Sequence, residues 1–155
     1  MAHEGEMGAN EELSRSECLT LASGQPRARL AAAMGKETTI FPVTLAVGDG
    51  ALVVEFTDAT ALHAVAQRRV AVEVDQFDPA TQQGWSVVAH GIAFDLTDTL
   101  DPRSCSLRRL ARPWWPGQPC PHAAMVTLSR IGGRRFPGLF PLTGRHQPVP
   151  AGVAA

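Results

Sequence analysis

Apolar and polar positions alternate in short runs along most of this chain, and glycine, proline and aspartate punctuate them. Val70, Val72 and Val74 interleave with Ala71, Glu73 and Asp75, the period-two pattern of a strand with one buried face. Thr38–Val47 and Ala51–Phe56 flank Gly48-Asp49-Gly50, which reads as a β-hairpin. Ala28–Met34, Gly84–Leu96 (bent at Gly91) and Ala123–Ile131 supply further strands. Helical signals are brief. Ser14-Arg15-Ser16-Glu17 has the S-x-x-E form of a capping box, with Leu13 placed to staple onto Cys18, and predicts a helix over 15–23 stopped by Gly24 and Pro26. Thr57-Asp58 caps a helix from Ala59 to Gln67, whose apolar face is Ala59, Leu62, Val65 and Ala66. Asp101 opens a third helix reaching about Ala111. Phe77–Ala80 reads as a turn, and Arg112–Pro121 (RPWWPGQPCP) as a rigid loop.

About six strands with two or three short helices place the chain in a mainly β (α+β) class. The architecture expected is an antiparallel barrel or sandwich with helices plugging its ends. Strict β-α-β alternation is missing, which argues against a dinucleotide-type parallel sheet. The organisation expected is a polar, disordered tail over 1–13, one domain over 14–138, and a Pro/Gly-rich tail over 139–155.

A length of 155 residues suits one domain, and 45% apolar against 19% charged residues suits a folded one. A net charge of −1 leaves no electrostatic footprint for nucleic acid or an anionic membrane. No apolar run reaches the roughly 18 residues needed to span a bilayer. Cys18, Cys105 and Cys120 lack metal-ribbon spacing, so the expected setting is a reducing cytoplasm without a disulfide framework. Thirteen of the fourteen cations are arginine, Lys36 being the exception, which fits the codon bias of a GC-rich genome.

Nucleotide-loop, serine-hydrolase and zinc-protease motifs are missing. Cys120-Pro121-His122 reads as a loop holding both residue types rather than as a metal pair, and no metal site is expected. Gly132-Gly133-Arg134-Arg135 reads equally as a phosphate grip or as a turn with solvated arginines. The titratable candidates for acid/base work are Glu55, Asp58, His63 and His90.

Several segments in order resemble the pyridoxamine 5'-phosphate oxidase-like flavoproteins of the FMN-binding split-barrel fold, in particular a small actinobacterial branch. They are SECLTLAS at the N-terminal helix, Arg29-Leu30-Ala31, Phe41-Pro42-Val43, and Val70 to Ala93 (VAVEVDQFDPATQQGWSVVAHGIA). Pro113-Trp114-Trp115-Pro116-Gly117 and Gly133-Arg134-Arg135 follow in the expected order, so the resemblance spans 14 to about 136. It implies a six-stranded antiparallel split β-barrel with short flanking helices. It also implies a homodimer, with FMN in a groove between two barrels and a small organic molecule as substrate.

The cofactor-binding positions that the resemblance carries over are Arg29, Val43, Thr44, Thr60, Trp85 and Ser86. Trp85 reads equally as a flavin neighbour or a core aromatic. The chain departs from the family where the flavin phosphate is usually held: Glu55 stands for an arginine and Ala61 for a lysine, and Thr60 alone keeps a hydroxyl. Two lost charge-assisted hydrogen bonds cost roughly 3–6 kcal/mol, or about 10²–10⁴ in FMN affinity.

Two functions follow as expectations. One is a flavin-fold oxidoreductase that binds FMN, or a deazaflavin, weakly or through other anchors. The other is a reused groove without cofactor, either an enzyme of specialised metabolism using Glu55, His63 and His90 for acid/base or cyclisation chemistry, or a ligand-binding protein.

Overall fold

The computed structural model describes residues 10–138, so the expected tails at 1–9 and 139–155 lie outside the described residues. In chain order the elements are β1 (Glu11–Leu13), α1 (Arg15–Ser23), β2 (Arg27–Met34), β3 (Glu37–Gly48), β4 (Ala51–Glu55), α2 (Ala59–Val65), β5 (Arg69–Asp78), β6 (Gln83–Asp95), α3 (Pro102–Arg108), β7 (Ala123–Thr127) and β8 (Arg130–Phe136). The strands pair in the order β1-β8-β6-β5-β2-β3-β4-β7, and β7 returns to pair with β6. Six strands, β2 to β7, thereby close a ring, and β8 and β1 extend from the β6 edge. Every pairing is antiparallel. This is the split barrel expected, with eight strands rather than six.

Both extra strands correct the sequence reading. Glu11–Leu13 is a strand, not part of a disordered tail, because it pairs with Gly133–Arg135 and buries Leu13. The expected strand Ala123–Ile131 divides at Leu128-Ser129. There the Ser129 N–H and hydroxyl both donate to the His90 carbonyl (both 2.9 Å), and the chain passes from β4 and β6 to a new alignment on β6. Gly132–Arg135 therefore lies inside β8 and is not a turn.

Other ends shift for local reasons. β5 continues through Phe77, paired with Gly84, so the turn falls at residues 79–82 with Gln82 at φ 57°. α2 stops at Val65 because Gln67, at φ 63°, donates its N–H to Ala93 of β6 (2.7 Å). α3 stops at Arg108, where Leu110 and Ala111 turn back onto Leu107 and Arg108. The three caps are as expected. Ser14 and Glu17 form a reciprocal capping box, and Asp58 and Asp101 accept from Ala61 and Ser104.

The barrel interior packs Leu30, Val43, Leu45, Val54, Phe56, Val72 and Val87 against Cys18 of α1 and Leu62 of α2. Each such aliphatic side chain contributes about 1.5–3 kcal/mol on burial. A second, smaller core lies on the outside of β3, β4 and β7. There Ala46, Val53 and Ala123 are covered by Leu96 and Leu107. ALVVE of β4 is consequently buried on both faces. No helix among the described residues is long and apolar enough to cross a membrane.

Candidate functional site

Cross-strand register sorts the candidate residues onto two surfaces. In antiparallel pairing, directly opposed residues share a face. Ile40, Ala31, Ala71, His90 and Arg130 form one row across β3, β2, β5, β6 and β8. Pro42, Arg29, Glu73, Val88 and Gly132 form the next, followed by Asp75, Ser86, Arg134 and Glu12. These rows are the outward face of the sheet: Ala31 and Ala71 are the small residues at the middle of the first row, Glu73 and Asp75 put two carboxylates on β5 in the next two, and arginines stand towards both sides.

On the β2 side, Arg29 bridges Glu73 (2.9 Å) and Asp75 (3.5 Å). The hydrogen bond it donates to Glu73, aided by both negative charges, holds its guanidinium pKa above the usual value. The guanidinium of Arg27 lies 4.4 Å from the centre of the Trp114 ring. A cavity of about 290 Å³ opens here between Arg29, Val43, Asp75 and Trp114. The sequence-predicted pair Arg29 and Val43 is therefore brought together, with Trp114 as the wall.

On the β8 side, Ser86 and His90 line a cleft of about 510 Å³ with Arg130, Gly132 and Arg134. His90 and Arg130 also line an adjoining cavity of about 470 Å³ that reaches Arg69. Trp85 points to the opposite face of β6 and is buried. Its edge borders a separate cavity of about 480 Å³ with Phe77 and Phe136, at the β5–β6 hairpin end.

Thr44 and Glu55 belong elsewhere. They are opposed on β3 and β4, each only 2% exposed, beneath the loop 112–122. The Thr44 hydroxyl donates to the Arg112 carbonyl (2.6 Å). Glu55 Oε1 accepts from the His122 N–H (2.8 Å), while Oε2 is buried without a partner. Burial pushes the Glu55 carboxyl up from 4.5 to about 7, against the opposing pull of the His122 N–H. Burial, with a smaller contribution from the Glu55 charge, also raises the Cys120 thiol. Glu55 is thus neither a solvated strand residue nor a group facing an open groove.

Thr60 and His63 are exposed on α2 and line none of these four cavities. The Asp58 carboxylate is occupied as the α2 cap. The proposed acid/base set of Glu55, His63 and His90 is therefore brought together in none of these four cavities. Sequence reasoning missed Arg130 and the outward placement of Gly132. The available signal was the period-two spacing of Arg130, Gly132 and Arg134, masked by the two adjacent glycines.

A flavin phosphate finds no cation at positions 55 and 61, since Glu55 is enclosed and Ala61 is buried in the core. The open sheet face, by contrast, carries Ala31 and Ala71 between Arg29, which is already paired with Glu73 and Asp75, and Arg130 and Arg134, which are unpaired among the described residues. A Cβ built on Gly132 would meet nothing within 4 Å, so the floor there is bare backbone.

A family model described as pyridoxamine 5'-phosphate oxidase matches residues 14–135. An uncharacterized protein of Mycobacterium tuberculosis is 35% identical over 111 residues, covering 66% of this chain and 70% of that one. Among solved structures, an FAD binding protein from Mycobacterium smegmatis superposes with a TM-score of 0.63 at 24% identity, covering 83% of this chain and 99% of that one. A conserved protein of unknown function from Corynebacterium diphtheriae gives 0.61 at 27% identity, covering 82% and 98%.

Proposed function

This chain belongs to the pyridoxamine 5'-phosphate oxidase family, and from that premise we propose that it binds a flavin nucleotide on the outward face of its sheet and serves as an oxidoreductase for a small organic molecule. The observation that carries the reading is the uncovered row Ala31-Ala71-His90, where the two alanines leave a shallow floor beside the His90 ring, between Arg29 on one side and Arg130 on the other. The other outward surface, on β3, β4 and β7, is sealed by α3 and the loop 112–122. A bound flavin supplies the electron or hydride chemistry, so no side-chain nucleophile is required. The chain's own part is to hold and orient. Arg29, paired with Glu73 and Asp75, borders one side of that floor, and Trp114 walls the same end against water. A second copy of the chain closing over the same face would exclude solvent from the other side, which makes the working unit a homodimer.

The solved neighbour named as an FAD binding protein supports a flavin as occupant. Chemistry at Glu55, His63 and His90 without a cofactor is disfavoured because Glu55 is enclosed and His63 lines neither of the cavities that His90 borders. The test is the visible spectrum of the purified protein, followed by fluorescence titration with FMN and FAD. Quenching that saturates at low micromolar flavin is expected. A colourless protein that leaves flavin fluorescence unchanged at millimolar concentration would overturn the reading.

A further inference from the structure

The β8 side of the outward face carries a group of cations without a structural task. Arg130 and Arg134 project on the same side of β8, about 13 Å apart along the strand at roughly 3.3 Å per residue. Neither has an ion-pair partner within 4 Å among the described residues, in contrast to Arg29, Arg103 and Arg135. Opposite them on β6 stand His90, paired with Arg130, and Ser86, paired with Arg134. Between the two arginines lies Gly132, with open space where a side chain would stand. Arg69 extends the same charge beyond His90, in the adjoining cavity. Glu12 is the one carboxylate in the lining of these two cavities.

We propose that this Arg130–Gly132–Arg134 cleft, with Ser86 and His90 on its far wall, is a binding site for a phosphate ester. A guanidinium pairs with two phosphate oxygens at once through its planar fork. Bare backbone at Gly132 lets a phosphate or the flat body behind it lie close to the strand, and the Ser86 hydroxyl adds a neutral donor at the Arg134 end. The assignment of the ester to a flavin nucleotide rests on the function proposed above. Cations and floor alone define the phosphate chemistry. On the flavin reading, the cleft replaces the anchors missing at positions 55 and 61, by a different part of the chain.

The experiment compares FMN, riboflavin and inorganic pyrophosphate on the wild-type protein, on Arg130→Gln/Arg134→Gln, and on Gly132→Val. Both arginines are exposed and the glycine's new Cβ meets open space, so all three proteins are expected to fold. FMN is expected to bind wild type at least 10-fold more tightly than riboflavin, and pyrophosphate to compete with it. The double variant is expected to lose about 10–100-fold in FMN affinity with riboflavin unchanged, and Gly132→Val to weaken both flavins. If no flavin binds but pyrophosphate shifts the His90 ring resonances in wild type and not in the double variant, the site stands and the flavin reading falls. Equal FMN affinity in wild type and the double variant overturns the site, as does pyrophosphate leaving His90 unmoved.

Discussion

Thr44 and Glu55 oppose each other across β3 and β4, and between them they hold the two ends of one loop. Thr44 fastens residue 112 through its hydroxyl, and Glu55 fastens residue 122 through its carboxyl. The loop between these points carries Trp114, which walls the β2-side cavity. A buried polar pair on the second core thus positions an aromatic on the open face.

Thr44→Val removes the donor and strands the Arg112 carbonyl. A loss of about 1–2 kcal/mol in unfolding free energy is expected, with a red-shifted, more quenchable Trp emission as the loop loosens. Thr44→Ser, which keeps the hydroxyl, is expected to retain most of the stability. Urea titration followed by Trp fluorescence measures both, and equal midpoints for Val and wild type would contradict the clamp.

Glu55 makes stability depend on pH with a definite sign. Its carboxyl titrates at about 7 when folded, against 4.5 for the ordinary group. Between those values the folded state holds more protons than the unfolded one, so stability falls as pH rises from about 4.5 through about 7, then levels. At about 1.4 kcal/mol per pKa unit, the contribution amounts to roughly 3 kcal/mol at most. Glu55→Gln keeps an acceptor for the His122 N–H and cannot ionise, so it is expected to flatten that fall. Chemical denaturation at pH 5 and pH 8 decides it: parallel declines in variant and wild type would rule Glu55 out as the source.

Ser14 is the local counterpart of that long-range clamp. Its hydroxyl accepts from the Glu17 N–H (3.2 Å), and the Glu17 carboxylate accepts in turn from the Ser14 N–H (2.7 Å). Those bonds hold the Glu17 carboxyl below the usual range. Ser14→Ala is expected to cost about 1 kcal/mol by thermal or urea unfolding. It also loosens α1, whose Cys18 packs on Gly133 inside the barrel.

What the sequence reveals here is the local part. Val70, Val72 and Val74 alternate because one face of β5 is buried, and the Ser14, Asp58 and Asp101 caps act within three residues of themselves. β1 and β8 were illegible because their stability comes from partners more than a hundred residues away and from β6, not from their own pattern. The enclosure of Glu55 was equally hidden. A charged residue ending ALVVE looks solvated until α3 and the loop 112–122 are laid over that face.

Two glycines on neighbouring strands make opposite predictions. At Gly91, β6 changes partner from β8 to β7, and the strands approach so closely that an added Cβ would overlap the Thr127 carbonyl oxygen. That atom is backbone, and the Thr127 side chain is itself bonded to the Ile92 N–H (3.1 Å), so neither strand has room to withdraw. Gly91→Ala is expected to cost about 3 kcal/mol or more, at or beyond the upper end of ordinary overpacking, and to appear as poor soluble yield or a sharply lowered Tm. At Gly132 the same added carbon meets open space, and alanine removes the entropic penalty of glycine in a strand. Gly132→Ala is therefore expected to be neutral or to stabilise by roughly 0.5 kcal/mol. Thermal melts of the two variants side by side test the barrel closure. A Gly91→Ala protein that melts with wild type would mean that β6 and β7 do not meet as described.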